Sequence, residues 1–573
     1  MPIIPDFALA VVKVYLVQLL VWLSDQTYLT LLKRDPNHLL VKLAEHLNFA
    51  PLETACGNYH HTTGPGTTPT HPVSRLVRAL LVGYLYHWSL RDLEWHIRFN
   101  LVVKWFVGYP IFAEGPDHST LERFEIWVCF KQHRTIFDQV LRQIDAAFPE
   151  ERQQAQVGDT YALRANAAKE SLVQLLRHTC KRVLATLRKL DGAREATVRA
   201  QLDLGALFAA TDERSECHLT AAERTARLQT TVRAALACAR LVRIHLETPT
   251  PVSAEARTPV LAWLAHLDKI IADEVVQVPT ENPTQPQVTE RPTDAKGAYR
   301  LGSATDPDAS YRVHSNNGDK TDFGYNIQVA ATENFVREIQ ADPGAQPDAV
   351  AIPDLLQAQA EYHDLVPEKL IYDTAAGNGK TRALIAAATD GKTQLVAPVP
   401  PTHTPTGKFT PAEFQLSEDN TTLMCPHEQT TPLAYRSGSG DGRSFRFLGL
   451  QCRDCPVWSQ CRTQQPGSKR YRQVFISDYR REVEAARRYN ATDAFQLEMK
   501  QRPRIERIIA ALVRYNGARY ARRRGKVKCD FQAKMNAVAY NLEKWMRVAR
   551  TRATACARRE SVKLTFVRCA IRV

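Results

Sequence analysis

The sequence predicts a mixed α/β fold, in which antiparallel and parallel strands share one sheet. Residues 299–345 contain three short β-rich runs, at 311–314, 323–330 and 335–340, separated by turn residues as in antiparallel strands. Helical and strand patterns then alternate through residues 348–399, which is typical of strands joined by helices. Most of the chain before and after these segments has a helical pattern.

Length and composition indicate a large protein with an anionic partner. The 573 residues suffice for several domains. Lys and Arg number 75 against 61 Asp and Glu, which gives a net charge of +14 and favours nucleic acid as the partner. The twelve cysteines are scattered except for one cluster, which indicates a reduced, intracellular protein and excludes a disulfide scaffold.

The N-terminal segment 7–23 is strongly apolar and has two interpretations. It has about the length of a short membrane span or signal anchor, but it contains Lys13 and lacks both a basic start and a small-residue cleavage site. We therefore prefer a helix that is buried or packed against a partner. No other stretch is long and apolar enough to span a bilayer, so the sequence predicts no membrane association.

Residues 1–150 predict a helical N-terminal domain. Helical patterns cover 38–47, 73–86 and 90–100, with Ser89 and Asp117 as N-cap residues. Several short helices with basic faces suit a helix-turn-helix-like DNA-binding domain, and they suit a plain helical bundle equally well.

The rest of the chain divides by changes in pattern. The predicted segments are a first core strand at 151–168, a helical insertion with a Pro-rich linker at 169–298, the catalytic core at 299–400, a Cys-rich insertion at 401–470, C-terminal core helices at 471–550 and a basic tail at 551–573.

Asp373 follows a short buried strand, 370–372, and precedes a tight turn. Gly377, Asn378 and Gly379 in that turn are residues that accept positive φ. In open α/β sheets, chemistry collects at the carboxyl ends of the strands, so Asp373 is a candidate metal ligand or base. Taken alone, a helix-capping or turn aspartate is the simpler interpretation.

Two other carboxylates favour the interpretation of Asp373 as a metal ligand. Asp159 lies near the end of another short strand, and Glu506 lies on a late helix. Arg502 precedes Glu506 by four residues and shares a helix face with it, so a surface salt bridge is the alternative interpretation of this pair. Together, Asp159, Asp373 and Glu506 supply the oxygen donors that two Mg²⁺ (or Mn²⁺) ions need for in-line attack on a phosphodiester.

A cysteine cluster occupies the Cys-rich insertion. Cys425, Cys452, Cys455 and Cys461 follow the pattern C-x26-C-x2-C-x5-C, which fits a tetrahedral structural Zn²⁺ site. Free structural cysteines and a redox pair are the alternatives. His427 is a substitute for one thiolate.

A basic run with interleaved tyrosines follows Glu506, and it suits a phosphate backbone or a solvated basic face. Its cations are Arg514, Arg519, Arg522, Arg523, Arg524, Lys526 and Lys528. We expect Arg519, Arg522, Arg523, Arg524 and Lys526 to bind DNA, together with Arg502 and with Lys320 and Tyr325 on the predicted hairpin.

From residue 70 to 550 the order of motifs resembles the DDE transposases of bacterial insertion sequences, in the branch with an N-terminal helical domain and a Cys-rich insertion before the last glutamate. The matching residues are His71-Pro72, the run 101–106, 117–120 (DHST), Asp159, Thr160, Ala165, Asn166, Asp306, Pro307, Asp308, 324–326 (GYN), Tyr372-Asp373 with Gly377, Arg502 with Glu506, and Asn541-Leu542. The sequence departs from the family's pattern at 374–379 and at Met499, where the family usually has tyrosine.

The resemblance implies a ribonuclease H-like core, dependence on Mg²⁺ and action on the terminal inverted repeats of an element and on target DNA. It also implies a homodimer on DNA, working in the bacterial cytoplasm at the nucleoid. Asp159, Asp373 and Glu506 would be the catalytic carboxylates. A catalytically inactive DNA-binding protein derived from a transposase, and a metal-dependent nuclease, are the alternatives.

Overall fold

The computed structural model has the predicted mixed α/β architecture. It describes residues 6–62, 70–209, 213–248, 252–278, 287–297, 299–313, 321–401, 407–438, 440–464 and 470–570. Large hydrophobic clusters hold the parts together, and one of them joins the N-terminal helices, the central sheet and the last helix.

The N-terminal part is helical, as predicted. Its helices are α1 (Asp6–Arg34), α2 (Leu39–His46), α3 (Ala50–Ala55), α4 (Val73–Leu85), α5 (Leu90–Phe99), α6 (Leu101–Val107), α7 (His118–Lys131) and α8 (Thr135–Ala147). Ser89 and Asp92 form a capping box at the start of α5, and Asp117 caps α7, so both predicted N-caps are confirmed.

Helix α1 contains the apolar N-terminal segment. Within the described part of the chain, no helix is long and apolar enough to cross a membrane. Leu16, Leu19 and Trp22 are each more than half exposed, so the prediction of a buried helix is wrong for these side chains. Packing of α1 against a partner stays a prediction.

Strand β1 (Gln156–Arg164) opens the sheet and is followed by a helical insertion with its own hydrophobic core. The insertion contains α9 (Leu172–Leu190), α10 (Gly192–Ala200), α11 (Leu204–Leu207), α12 (Ala221–Glu247), α13 (Ala254–Glu274), β2 (Val275–Val278) and β3 (Gln287–Glu290). Strands β2 and β3 pair antiparallel, so part of the predicted linker is a β-ribbon, whose Val288 is buried in the insertion core.

The central sheet is completed by β4 (Ser310–Val313), β5 (Thr321–Ala331), β6 (Val336–Pro343), β7 (Lys369–Ile371) and β8 (Gln394–Val396), with α14 (Ile352–His363) and α15 (Gly379–Ala388) between its later strands. The order is β4-β5-β1-β7-β8, and β6 also pairs with β5. Strand β1 is antiparallel to β5 and parallel to β7, which is parallel to β8. The sheet is therefore mixed.

The Cys-rich insertion is a small β unit with a separate core around Phe445 and Phe447. It contains β9 (Gln415–Leu416), β10 (Leu423–Met424), β11 (Thr430–Thr431), β12 (Ala434–Arg436), β13 (Gly442–Phe447), α16 (Trp458–Cys461) and β14 (Arg472–Ser477).

The C-terminal part is helical and packs back onto the sheet. Its helices are α17 (Arg480–Asn490), α18 (Asp493–Met499), α19 (Pro503–Tyr515) and α20 (Lys526–Ala570). Thr492 caps α18 and separates it from α17. Helix α19 packs on β1, and α20 packs on β6 and on the N-terminal helices, so the carboxyl end of the chain completes the core.

Candidate active site

Asp159 and Asp373 lie side by side on neighbouring parallel strands. Val157 of β1 is in register with Ile371 of β7, and each aspartate follows two residues later. Asp373 continues β7 with an extended backbone, φ −79° and ψ −178°. Because side chains alternate along a strand, both carboxylates leave the same face of the sheet.

Gly158 allows the two strands to pack in this way. The ring of Tyr372, which is fully buried, lies directly against Gly158. A Cβ at position 158 would lie 2.7 Å from Tyr372 Cδ2 and closer still to Cε2. The tyrosine ring therefore occupies the face opposite the carboxylates, and only glycine leaves room for it.

Arg502 joins Asp159 to Glu506. Its Nη2 lies 3.3 Å from Asp159 Oδ2, and its Nη1 donates to Glu506 Oε1 at 2.9 Å. The predicted pair of Arg502 and Glu506 thus shares one helix face at the start of α19. The structure brings two of the three predicted catalytic carboxylates to a single guanidinium, and the third lies on the adjacent strand.

Opposing electrostatic effects act on the pKa of Asp159. Burial raises the pKa of Asp159 above its ordinary value, while the Thr160 backbone N–H and Arg502 stabilise the charged form. The charges of Asp373 and Asp348 raise the pKa further. The site therefore concentrates negative charge, as a cation-binding site requires.

Sequence reasoning missed Asp348 as a neighbour of this site. It lies in the turn that precedes α14, where its Oδ1 accepts a 2.7 Å hydrogen bond from the Asn326 side chain. Its sequence signal, an aspartate before a helical pattern, is the same as that of an ordinary helix-capping residue.

The donors fit a hard divalent cation in type, although their present arrangement is not that of a metal site. Among the residues described, no group of three or more His, Cys, Asp or Glu side chains is placed to hold a metal ion. Asp159 and Glu506 instead share the positive charge of Arg502, so their oxygens already converge on one cation. Carboxylate oxygens are the ligands that Mg²⁺ prefers.

The four cysteines of the Cys-rich insertion line one small cavity, together with Phe447 and Trp458. Burial raises the pKa of Cys452 and of Cys461. Cys425 Sγ accepts a 3.3 Å hydrogen bond from the Gln429 N–H. The structure does not support the zinc site, which stays a prediction.

Part of the predicted basic run is neutralised by the fold. Arg523 pairs with Glu122 at 2.7 Å and with Glu125 at 2.6 Å, and the Glu125 side chain is only 6% exposed. Arg522 donates to His87 Nδ1 at 2.9 Å. The structure does not support Arg523 as a DNA contact, because two glutamates of α7 already pair with its guanidinium.

Other predicted DNA contacts also have partners within the chain. Arg524 donates to the carbonyl of Asn166 at 2.7 Å, and Lys526 lies 3.1 Å from Asp342. Arg519 is exposed.

The two hairpin residues have different outcomes. Tyr325 is 1% exposed and donates to the buried Asp306 at 2.6 Å, so the structure does not support a contact with DNA. Lys320 lies outside the described residues.

Two segments of the chain match known protein families. Residues 424–546, which include Arg502 and Glu506, match the family described as Transposase DDE domain. Residues 29–126, in the N-terminal helices, match the family described as Transposase domain (DUF772). No curated protein and no solved structure matches the chain.

Proposed function

The chain belongs to the DDE transposases of insertion sequences, and from this premise we propose that it cuts and joins DNA at the ends of an element with Asp159, Asp373 and Glu506. The observation that carries the proposal is the guanidinium of Arg502, which contacts Asp159 and Glu506 together. Asp373, which follows the adjacent strand β7, lies level with Asp159.

The sheet supports a ribonuclease H-like core. The antiparallel strands β5 and β6 lie on one side of β1, and the parallel strands β7 and β8 lie on the other. Asp159 is on the central strand of this arrangement, and Glu506 comes from a helix that packs on that strand.

The three carboxylates would hold Mg²⁺ or Mn²⁺. When bound, such ions activate a water or 3′-hydroxyl for in-line attack and stabilise the departing oxygen. The chain's own contribution is orientation. Thr160 N–H fixes Asp159 at 2.8 Å, and Ala375 N–H fixes Asp373 at 3.0 Å. Arg502 holds Asp159 and Glu506 toward one point and offers a donor for a phosphate oxygen.

The partners follow from the same proposal. DNA is the substrate that the family implies. We propose that the DNA consists of the terminal inverted repeats and a target, that a homodimer assembles on it, and that the protein works at the nucleoid in the cytoplasm.

A non-catalytic DNA-binding protein is the second candidate function, because the carboxylates are not arranged as a metal site. The test is cleavage of a labelled duplex that carries an element end, with Mg²⁺ present. We expect Asp373→Asn to lose cleavage and to keep its affinity for the duplex. The matched control is Asp390→Asn, since Asp390 is exposed at φ 51°, a conformation that asparagine tolerates.

The outcomes separate the two candidates. Cleavage by wild type and by the Asp390 variant, but not by the Asp373 variant, is the expected result. Cleavage that survives Asp373→Asn would refute the assignment of this carboxylate. A wild-type protein that binds the duplex without cutting it would favour the non-catalytic candidate.

A further inference from the structure

A basic groove runs between α19 and α20, and we name it the α19–α20 groove. It has a volume of about 310 Å³ and is lined by Arg504, Arg507, Tyr515, Tyr540, Lys544 and Arg547, with Glu333 and Glu543 as its acidic residues. A second depression of about 850 Å³ shares Tyr515, Glu543 and Arg547 with it and extends it to Lys42, His46 and Arg550. The two form one continuous, mainly cationic surface.

The cations of this groove are poorly neutralised. Among the residues that the structure covers, neither Arg507 nor Lys544 forms an ion pair, and Arg504 bonds only to the neutral Gln501. Arg547 pairs with Glu543 at 3.4 Å but is 73% exposed, so this pair contributes little. Arg523, by contrast, is neutralised by two carboxylates. Unneutralised cations that line one groove call for an anionic partner.

The groove lies away from the catalytic carboxylates. Arg504, Tyr515 and the residues between them that line it are spaced along one stripe of α19. Glu506 is two residues from Arg504 and therefore points to a different side of the helix. A partner in the groove would run beside the active site without entering it.

We propose that the α19–α20 groove binds the phosphate backbone of duplex DNA at a segment separate from the scissile bond. The inference rests on the proposed function, which makes DNA the partner. From Arg504 to Tyr515 the helix rises roughly 16 Å, about half of one duplex turn. Tyr515, 63% exposed, adds a hydroxyl of the kind that contacts phosphates.

The test is the salt dependence of duplex binding, measured by fluorescence anisotropy between about 50 and 200 mM salt, with EDTA to prevent cleavage. The variant combines Arg507→Gln, Lys544→Gln and Arg547→Gln. The matched control combines Arg188→Gln, Lys189→Gln and Arg240→Gln, which removes three exposed cations from the helical insertion. Both triple variants lose the same net charge, so only the position differs.

Each phosphate contact contributes about 0.9 to the slope of log K against log salt. We expect the groove variant to lose about 2.7 from that slope and roughly hundredfold in affinity at low salt, and the control to lose less than about 1. Equal slopes for the two variants would overturn the inference. Since binding is measured without Mg²⁺, a wild-type protein that binds through the groove but does not cleave would overturn only the proposed function.

A second measurement needs no variant. Acylation of Lys544 in the wild-type protein should slow severalfold when the duplex is added, while that of Lys189, which is exposed on the helical insertion, should not change. Equal reactivity of Lys544 with and without DNA would also overturn the inference.

Discussion

The ion pairs of Arg523 should contribute to stability and not to DNA binding. Replacing Arg523 by glutamine leaves the buried Glu125 carboxylate with the Tyr84 hydroxyl, at 2.8 Å, as its remaining partner. Removing one member of a buried ion pair costs about 3–5 kcal/mol. Since Arg523 itself is 23% exposed and Tyr84 keeps its hydrogen bond, we expect a loss of about 3 kcal/mol in the free energy of unfolding.

The assay is urea unfolding followed by tryptophan fluorescence, alongside duplex binding at several salt concentrations. Glu122→Gln is the matched control, because Glu122 is 46% exposed and its loss should cost less than about 1 kcal/mol. The double variant Arg523→Gln with Glu125→Gln should regain most of the lost stability, since no buried charge remains. A loss under about 1 kcal/mol, combined with a lower salt slope, would refute the reasoning and restore Arg523 as a DNA contact.

Two further predictions concern β1 and β7. Burial raises the pKa of Asp159, and only its ionised form binds a cation. Single-turnover cleavage at subsaturating Mg²⁺ should therefore fall with decreasing pH at a value above the ordinary 3.8, and an acid limb at or below 3.8 under that condition would contradict this. Gly158→Ala should cost about 1–3 kcal/mol in unfolding free energy and reduce cleavage, because the Tyr372 ring must move. Gly192→Ala, where a Cβ meets open space, should stay within about 0.5 kcal/mol, and equal losses for the two would count against the packing argument.

The sequence could place Asp373 just after a strand, because the signal for that strand is local. The prediction that Asp159 lies near a strand end is wrong, since β1 continues past Asp159 to Arg164. The sequence could not show that the two strands are neighbours, since the pairing of β1 with β7 joins residues more than 200 positions apart. The bridge from Arg502 to Glu506 follows from helical spacing, whereas its second contact, to Asp159, depends on the tertiary fold.

The turn after Asp373 shows a different kind of error. In the sequence, Gly377 is identified as a residue that accepts positive φ, but its φ is −71°. Glycine is required there because a Cβ would collide with the carbonyl of Pro398, a contact that no local pattern reveals.

The sequence identified the basic run as a cluster of cations, and the fold pairs some of those cations within the chain. Glu122 and Glu125, which neutralise Arg523, lie about 400 residues earlier in the chain. Tyr325 is comparable, since its partner Asp306 comes from a separate loop. Composition and spacing report which charges exist, and only the fold decides which of them remain available to a ligand.

The joint core of the N-terminal helices and α20 sets the timing of folding on the ribosome. Tyr84 of α4 packs its ring against Phe531, 447 residues later. At roughly 5–20 residues per second, the ribosome needs roughly 20 to 90 s to synthesise the intervening chain. The N-terminal helices must therefore wait, with part of their apolar surface uncovered, until translation is nearly complete. A chain that stops early would lack this core, Glu506 and the α19–α20 groove, so truncated products should be recognised by chaperones and proteases.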